Sequence, residues 1–293
     1  VTTFRQIALL CTEADVALAE ELLFVCDAQA VSLSDDGDSP ILEPPVGTHP
    51  VWPQTRVLAL FCDTRTDSEI LDTLADALQR AGCLIELPTE LSILEDQDWI
   101  RISLDQFQPL HIGRFWIKPS WSDAPTPEGC TLVSLDPGLA FGTGMHPTTQ
   151  LCLEWLSDCP ATHLSVLDFG AGSGILGVAA GCQGAASVHA IDIDPQALQA
   201  TASNAALNHL TVTTSLPEGI PGGHFDVVLA NILANPLIDL ADTLTDLVKP
   251  GGTLVMAGLL DAQAQDVKAA YPEIQFASDL SKSGWTRLVG HRR

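Results

Sequence analysis

The chain has 293 residues, 46% of them hydrophobic and 17% charged, with 13 basic side chains against 37 acidic ones and a formal charge of −24. This composition excludes a disordered chain, and the length suggests two domains. The negative balance disfavours stable binding of nucleic acid and would attract a basic protein. No apolar run reaches the ~18 residues of a membrane span, and the opening residues lack a basic start followed by an apolar core, so no membrane association and a cytoplasmic location are expected.

From the N-terminus, Phe4 to Leu10 reads as a strand and Ala14 to Cys26 as a helix, with Val16, Ala19, Leu22 and Leu23 at helical spacing. Ala30 to Leu33 is a second strand, and the Asp-, Gly- and Pro-rich stretch Ser34 to Pro53 is loop. Arg56 to Phe61 is a strand, Ser68 to Arg80 a helix stopped by Gly82, and Cys83 to Leu87 a fourth strand. The order βαββαβ is the split βαβ, ferredoxin-like arrangement of a small α+β domain over residues 1–90. Residues 91–130 read as a linker, helical from Asp96 onward, that includes Trp99, Phe107 and the run Phe115-Trp-Ile-Lys-Pro-Ser-Trp121. Those aromatics suit packing between domains better than a substrate platform.

The third region, 131–293, opens with a strand at Thr131 to Leu135 and the glycine-rich loop that follows Asp136. Pro147 suits the first position of a helix, which sets Thr148 and Thr149 in a first turn where free N–H groups favour a ligand. His146 could act as a base, but helix capping is the commoner role. Val166-Leu-Asp-Phe-Gly-Ala-Gly-Ser-Gly-Ile-Leu-Gly177 then runs from a buried strand through a glycine turn into a helix ending near Cys182. Glycines at 170, 172 and 174 let a ligand approach the backbone, and the helix start offers unpaired N–H groups. From Gly172 the segment satisfies the dinucleotide pattern G-x-G-x-x-G, with Asp192 twenty residues on. From Asp168 it is D-x-G-x-G-x-G, the form carried by S-adenosylmethionine-dependent methyltransferases. Taken alone, the turn leaves both cofactors open.

Beyond it, strand and helix alternate: strand Ser187 to Ile193, helix Pro195 to Leu207, short strand Thr211 to Thr214, and strand Phe225 to Ala230 closing on Asn231. A helix from Asn235 to Val248, a Pro250-Gly-Gly252 turn, a strand Thr253 to Ala257 and a helix Asp261 to Ala270 follow. Strands Glu273 to Ala277 and Trp285 to Gly290 close the chain as an antiparallel hairpin at a sheet edge, joined across 278–284. Such alternation predicts a doubly wound, Rossmann-like α/β sheet in which Gly170, Asp192 and Asn231 stand at strand tips lining one crevice. Eight cysteines without a C-x-x-C pair read as small buried hydrophobes, not a metal site or disulfide framework.

Together, Asp136-Pro-Gly-Leu-Ala-Phe-Gly-Thr-Gly-Met-His-Pro-Thr-Thr149, Val166 to Ile175, Ile191-Asp-Ile-Asp-Pro195 and Leu229-Ala-Asn-Ile-Leu233 resemble the ribosomal protein L11 methyltransferase family. Glu95-Asp-Gln-Asp-Trp99 and Phe115 to Trp121 extend the resemblance to nearly the whole chain. It implies a class I methyltransferase domain over 131–293 that takes S-adenosylmethionine, and a small N-terminal domain that recognises the substrate. It implies transfer of methyl groups to amino groups, lysine side chains or the N-terminal amine, of a large-subunit ribosomal protein, with free protein the expected substrate. Carried over by motif, cofactor contacts fall on Thr149, Gly170, Asp192 and Asn231, with Phe141, Thr143, Gly172 and Gly174 as further candidates and Asn231 as the residue orienting the amine. The other readings are methylation of another protein or small-molecule amine, or NAD-dependent oxidoreduction.

Overall fold

A computed structural model describes residues 3–37, 50–62, 64–89, 91–95, 108–136, 142–220 and 224–293, so the predicted linker helix, Trp99, Phe107 and Phe141 lie outside the described residues. The chain divides into two compact units, residues 1–102 and 103–293.

The first unit runs β1 (Thr3–Thr12), α1 (Val16–Val25), β2 (Ala30–Asp35), β3 (Gln54–Cys62), α2 (Asp67–Ala81) and β4 (Ser92–Glu95). Its sheet has the order β2-β3-β1-β4 with every neighbouring pair antiparallel, which is the split βαβ topology. Alternating inward residues Ile7, Leu9, Val57, Ala59 and Phe61 pack against Leu23 and Leu74 from the two helices. The fourth strand differs from expectation. Residues 83–88 carry no strand, Leu84 is 97% exposed, and Ser92–Glu95 pairs with Thr3–Gln6 instead. The apolar run at 83–87 has strand-like composition, but the edge of β1 that a fourth strand would join is taken by Ser92–Glu95.

The second unit begins with a three-stranded sheet, β5 (Leu110–Ile112), β6 (Phe115–Lys118) and β7 (Thr131–Ser134), so the segment read as linker contributes two strands to this unit. Phe115 is fully buried with Ile117, Val133 and Leu153 in that unit's own core, while Trp121 is exposed. After α3 (Pro147–Asp158) come β8 (Ser165–Phe169), α4 (Ile175–Cys182), β9 (Ser187–Ile191), α5 (Pro195–Leu207), β10 (Val212–Ser215) and β11 (Phe225–Asn231). The chain finishes with α6 (Ala234–Asp239), α7 (Ala241–Leu247), β12 (Val248–Leu260), α8 (Ala264–Ala269), β13 (Ile274–Lys282) and β14 (Trp285–Arg292).

These strands form a seven-stranded sheet of order β10-β9-β8-β11-β12-β14-β13, parallel except for β14. The closing hairpin is tighter than expected. Ser283 and Gly284 alone connect its strands, with φ of 53° and 82°, the two positive values that a type I′ turn requires. That turn folds β14 inward against β12 and leaves β13 at the edge. The helix expected from Asn235 to Val248 is two helices that meet at Leu240, and the Pro250-Gly-Gly252 turn is absorbed as a register shift within β12. One face of the sheet buries Val166, Leu229 and Val255 under α3 and α4; the other buries Leu167, Val228 and Met256 under α6 and α7. Cys11, Cys26 and Cys152 are buried as expected, but Cys62 and Cys159 are exposed.

Candidate active site

A parallel strand buried on both faces ends in unpaired backbone groups, and in an open sheet these tips gather on one side at the point where strand order reverses. Here the reversal lies between β8 and β11, and a cavity of about 590 Å³ opens there. Thr149, Gly170, Gly172, Asp192 and Asn231 all line it. So do Gly142 and Asp168, together with the apolar Ile232, Leu233 and Pro217. Gly174 and Thr143 are not among the lining residues. Gly174 is the N-cap of α4 and faces Thr201 of α5, and Thr143 is half-buried beside the cavity's Gly142.

The glycine turn is closed by acids. The Gly172 N–H donates to Asp192 Oδ2 at 2.8 Å, and the Asp194 N–H to Asp192 Oδ1 at 3.0 Å. Gly170 and Ala171 donate to the Ile191 carbonyl at 2.8 and 2.9 Å, locking the tips of β8 and β9 together. The start of α4 departs from expectation. Two of its first N–H groups are already taken: the Gly177 N–H donates to Asp168 Oδ2 at 2.8 Å and the Ile175 N–H to Ser173 Oγ at 3.3 Å. A pyrophosphate on a Rossmann turn needs such a helix start, and here a carboxylate already sits on it.

Asp168 is fully buried, and its pKa rises from 3.8 to about 7; burial is the main cause, offset by the Gly177 hydrogen bond and raised further by Asp192. In the sequence, Asp168 stands out only as the first position of the D-x-G-x-G-x-G motif. Its period-2 position on a buried strand signals core, and only the β-strand tip geometry reveals that its carboxyl borders the cavity.

On the opposite wall, α3 starts as expected at Pro147, with His146 as N-cap; its Nδ1 accepts from the Thr148 N–H at 3.4 Å and its ring packs edge-on against Trp285 with centroids 4.9 Å apart. His146 therefore caps the helix, and burial lowers its pKa. Fully buried Thr149 receives a hydrogen bond from Asn231 Nδ2 to its Oγ1 at 3.3 Å. The loop after Asn231 is clamped by two glycines in the left-handed region. A Cβ at Gly170 (φ 74°) would stand 2.3 Å from Ile232 Cγ2, and one at Gly258 (φ 90°) would stand 2.3 Å from the Ile232 carbonyl oxygen. Behind the turn, Asn204 Nδ2 donates to the Ser173 carbonyl at 2.9 Å while its Oδ1 accepts from the Asp136 N–H at 3.1 Å. Ser173 Oγ donates in turn to the Gly142 carbonyl at 2.6 Å, so the turn and both described ends of the 136–142 loop are tied together.

Among the described residues, the lining holds two carboxylates and no Lys, Arg or His. Such a cavity favours a cation and disfavours pyrophosphate. The reversed β14, inserted between β12 and β13, also departs from the all-parallel 3-2-1-4-5-6 order of a dinucleotide fold.

Comparison with known proteins agrees with this chemistry. The family model for ribosomal protein L11 methyltransferase (PrmA) matches residues 3–293. The ribosomal protein L11 methyltransferase of Azotobacter vinelandii is 47% identical over 98% of this chain and 99% of its own length. That of Marinobacter nauticus is 45% identical over 94% of this chain and 93% of its own. The crystal structure of ribosomal protein L11 methylase from Lactobacillus delbrueckii subsp. bulgaricus superposes with a TM-score of 0.56 at 34% identity, covering 61% of this chain and 95% of that one. The chain belongs to the ribosomal protein L11 methyltransferase family.

Proposed function

We propose that Thr149, Gly170, Asp192 and Asn231 hold S-adenosylmethionine in the cavity at the β8/β11 reversal, and that Asn231 orients the amine that receives the methyl group. The enzyme is a methyltransferase that modifies ribosomal protein L11 with S-adenosylmethionine as donor. When bound, the cofactor supplies an electrophilic methyl carbon on a sulfonium. The observation that carries the site reading is the lining itself, two carboxylates with no basic residue among the described ones, around glycine backbone that a ligand can approach.

Each carboxylate oxygen of Asp192 already accepts one backbone N–H and keeps a further lone pair for a ribose hydroxyl. Asn231 commits its amide nitrogen to Thr149, which leaves the amide oxygen as the acceptor for an amine N–H. A lysine amine must lose a proton before it attacks, since its reference pKa is about 10.4. The apolar Ile232 and Leu233 next to Asn231 favour the neutral amine by lowering the local dielectric. Alignment and exclusion of water then supply the acceleration that an in-line displacement needs.

Free L11 is the better substrate on this reading, and no stable contact with ribosomal RNA is made, because a chain of charge −24 is repelled by phosphate. The same reading places the enzyme in the cytoplasm, where ribosomal proteins are made; no helix among the described residues is long and apolar enough to cross a membrane. Radiolabelled methyl transfer to isolated L11 and to assembled large subunits, at physiological salt, tests this. Isolated L11 should react at least tenfold faster, and Asn231→Ala should lower turnover on it by 100-fold or more. Faster labelling of the assembled subunit would refute the substrate assignment, and undiminished turnover with normal cofactor affinity in Asn231→Ala would refute the role of Asn231.

A further inference from the structure

The guanidinium of Arg287 on β14 is enclosed in the protein: the residue is 8% exposed, Nη1 donates to the Leu151 carbonyl at 2.7 Å, and the buried Nε has no hydrogen-bond partner. Among the described residues no Asp or Glu forms an ion pair with it. A largely buried cation held by a single carbonyl and without a carboxylate partner is costly to place. Its position shows what the cation does.

β12 pairs with β14 through Met256↔Leu288 and Leu259↔Thr286, so two residues of β12, Ala257 and Gly258, oppose the single residue Arg287. This is a β-bulge, a device that re-aims the chain beside a functional site. Gly258 is the point where the backbone of Ile232 crosses β12, with no room for a Cβ. Leu151, the acceptor of Arg287, lies two residues beyond Thr149 on α3, and Thr149 accepts from Asn231. The contacts close a ring: Asn231 to Thr149, along α3 to Leu151, across to Arg287, through the bulge to Gly258, and over Ile232 back to Asn231.

We propose that Arg287 is a positioning residue for methyl transfer, fixing the first turns of α3 against the Ala257–Gly258 bulge so that Thr149 meets Asn231. The proposal rests on the reading that Thr149 and Asn231 border the cofactor. A guanidinium suits the task better than an ammonium, because its planar fork holds a fixed direction from a strand to a helix carbonyl. The inserted antiparallel strand thereby gains a part in the active site, although Arg287 itself does not line the cavity.

A double-mutant cycle tests this, with cofactor KM and kcat measured separately and folding followed by circular dichroism. Arg287→Met should raise the cofactor KM about tenfold in the wild-type background and less than twofold in Thr149→Ala, because the geometry it maintains is then already lost. Arg287→Lys should restore most of the loss. If Arg287→Met does not fold, the cycle is run with Arg287→Lys, which should raise KM about threefold in the wild-type background and leave it unchanged in Thr149→Ala. Equal effects in both backgrounds, or a fall in melting temperature with kinetic constants unmoved, would overturn the proposal while leaving the site reading intact. Wild-type kinetics in Thr149→Ala alone would instead overturn the site reading.

Discussion

A single carboxyl shows how environment sets chemistry. Asp168 stands between the buried Leu167 and Phe169, so ionisation there is opposed by burial, and its pKa climbs to about 7. With the folded value above the unfolded 3.8, this group favours the fold below about pH 4, and its contribution is lost as pH rises through about 7. A cation in the cavity acts in the opposite sense by favouring the ionised form. Affinity for S-adenosylmethionine should therefore increase severalfold between pH 6 and 8, and calorimetry on Asp168→Asn should show that dependence flattened. Affinity independent of pH in the wild type would mean that Asp168 does not sense the ligand's charge. At this scale the site was partly legible in the chain. Thr149, Gly170, Asp192 and Asn231 stand at strand tips or a proline-started helix, positions that follow from periodicity. Gly174 shows the limit: a glycine that admits a ligand and one that admits Thr201 of a neighbouring helix look alike in a motif.

Among elements, the loop from Asn231 to Leu233 depends on strands that are far from it in sequence. Gly258 combines a φ of 90° with backbone of Ile232 where a Cβ would stand, so neither a rotamer change nor a small side-chain shift can relieve a substitution. Gly258→Ala should destabilise the fold by about 3 kcal/mol, from left-handed strain plus overpacking, and lower turnover by more than the stability loss explains. Denaturant unfolding alongside single-turnover methyl transfer checks both; a variant with wild-type stability would show that the Ile232 peptide can move aside. The helices beginning at Pro147 and Pro195 and the strand ending at Asn231 were readable because proline, capping residues and apolar runs act locally. The true fourth strand of the first unit, the break at Leu240 and the insertion of β14 beside β12 were not. Each is decided by which partner edge or face is free, and that is a tertiary property.

For the molecule as a whole, the excess of 37 acidic over 13 basic residues has a kinetic consequence that no single contact carries. A protein that binds ribosomal RNA needs positive charge to neutralise phosphate, so on the proposed reading the enzyme and free L11 approach with opposite signs. Long-range attraction of this kind raises the association rate and is screened by salt, with a Debye length near 30 Å at 0.01 M and about 10 Å at 0.1 M. Under the proposed site, cofactor capture should have a different dependence, because Asp168 and Asp192 would act at short range inside a cavity where mobile ions screen weakly. Raising ionic strength from 20 to 300 mM should thus lower kcat/KM for free L11 about tenfold, almost all of it in KM, while the dissociation constant of S-adenosylmethionine stays within twofold. Initial-rate kinetics and calorimetry across that range separate the two terms. A kcat/KM for L11 that does not change with salt would show that the charge imbalance keeps the enzyme soluble without steering its substrate.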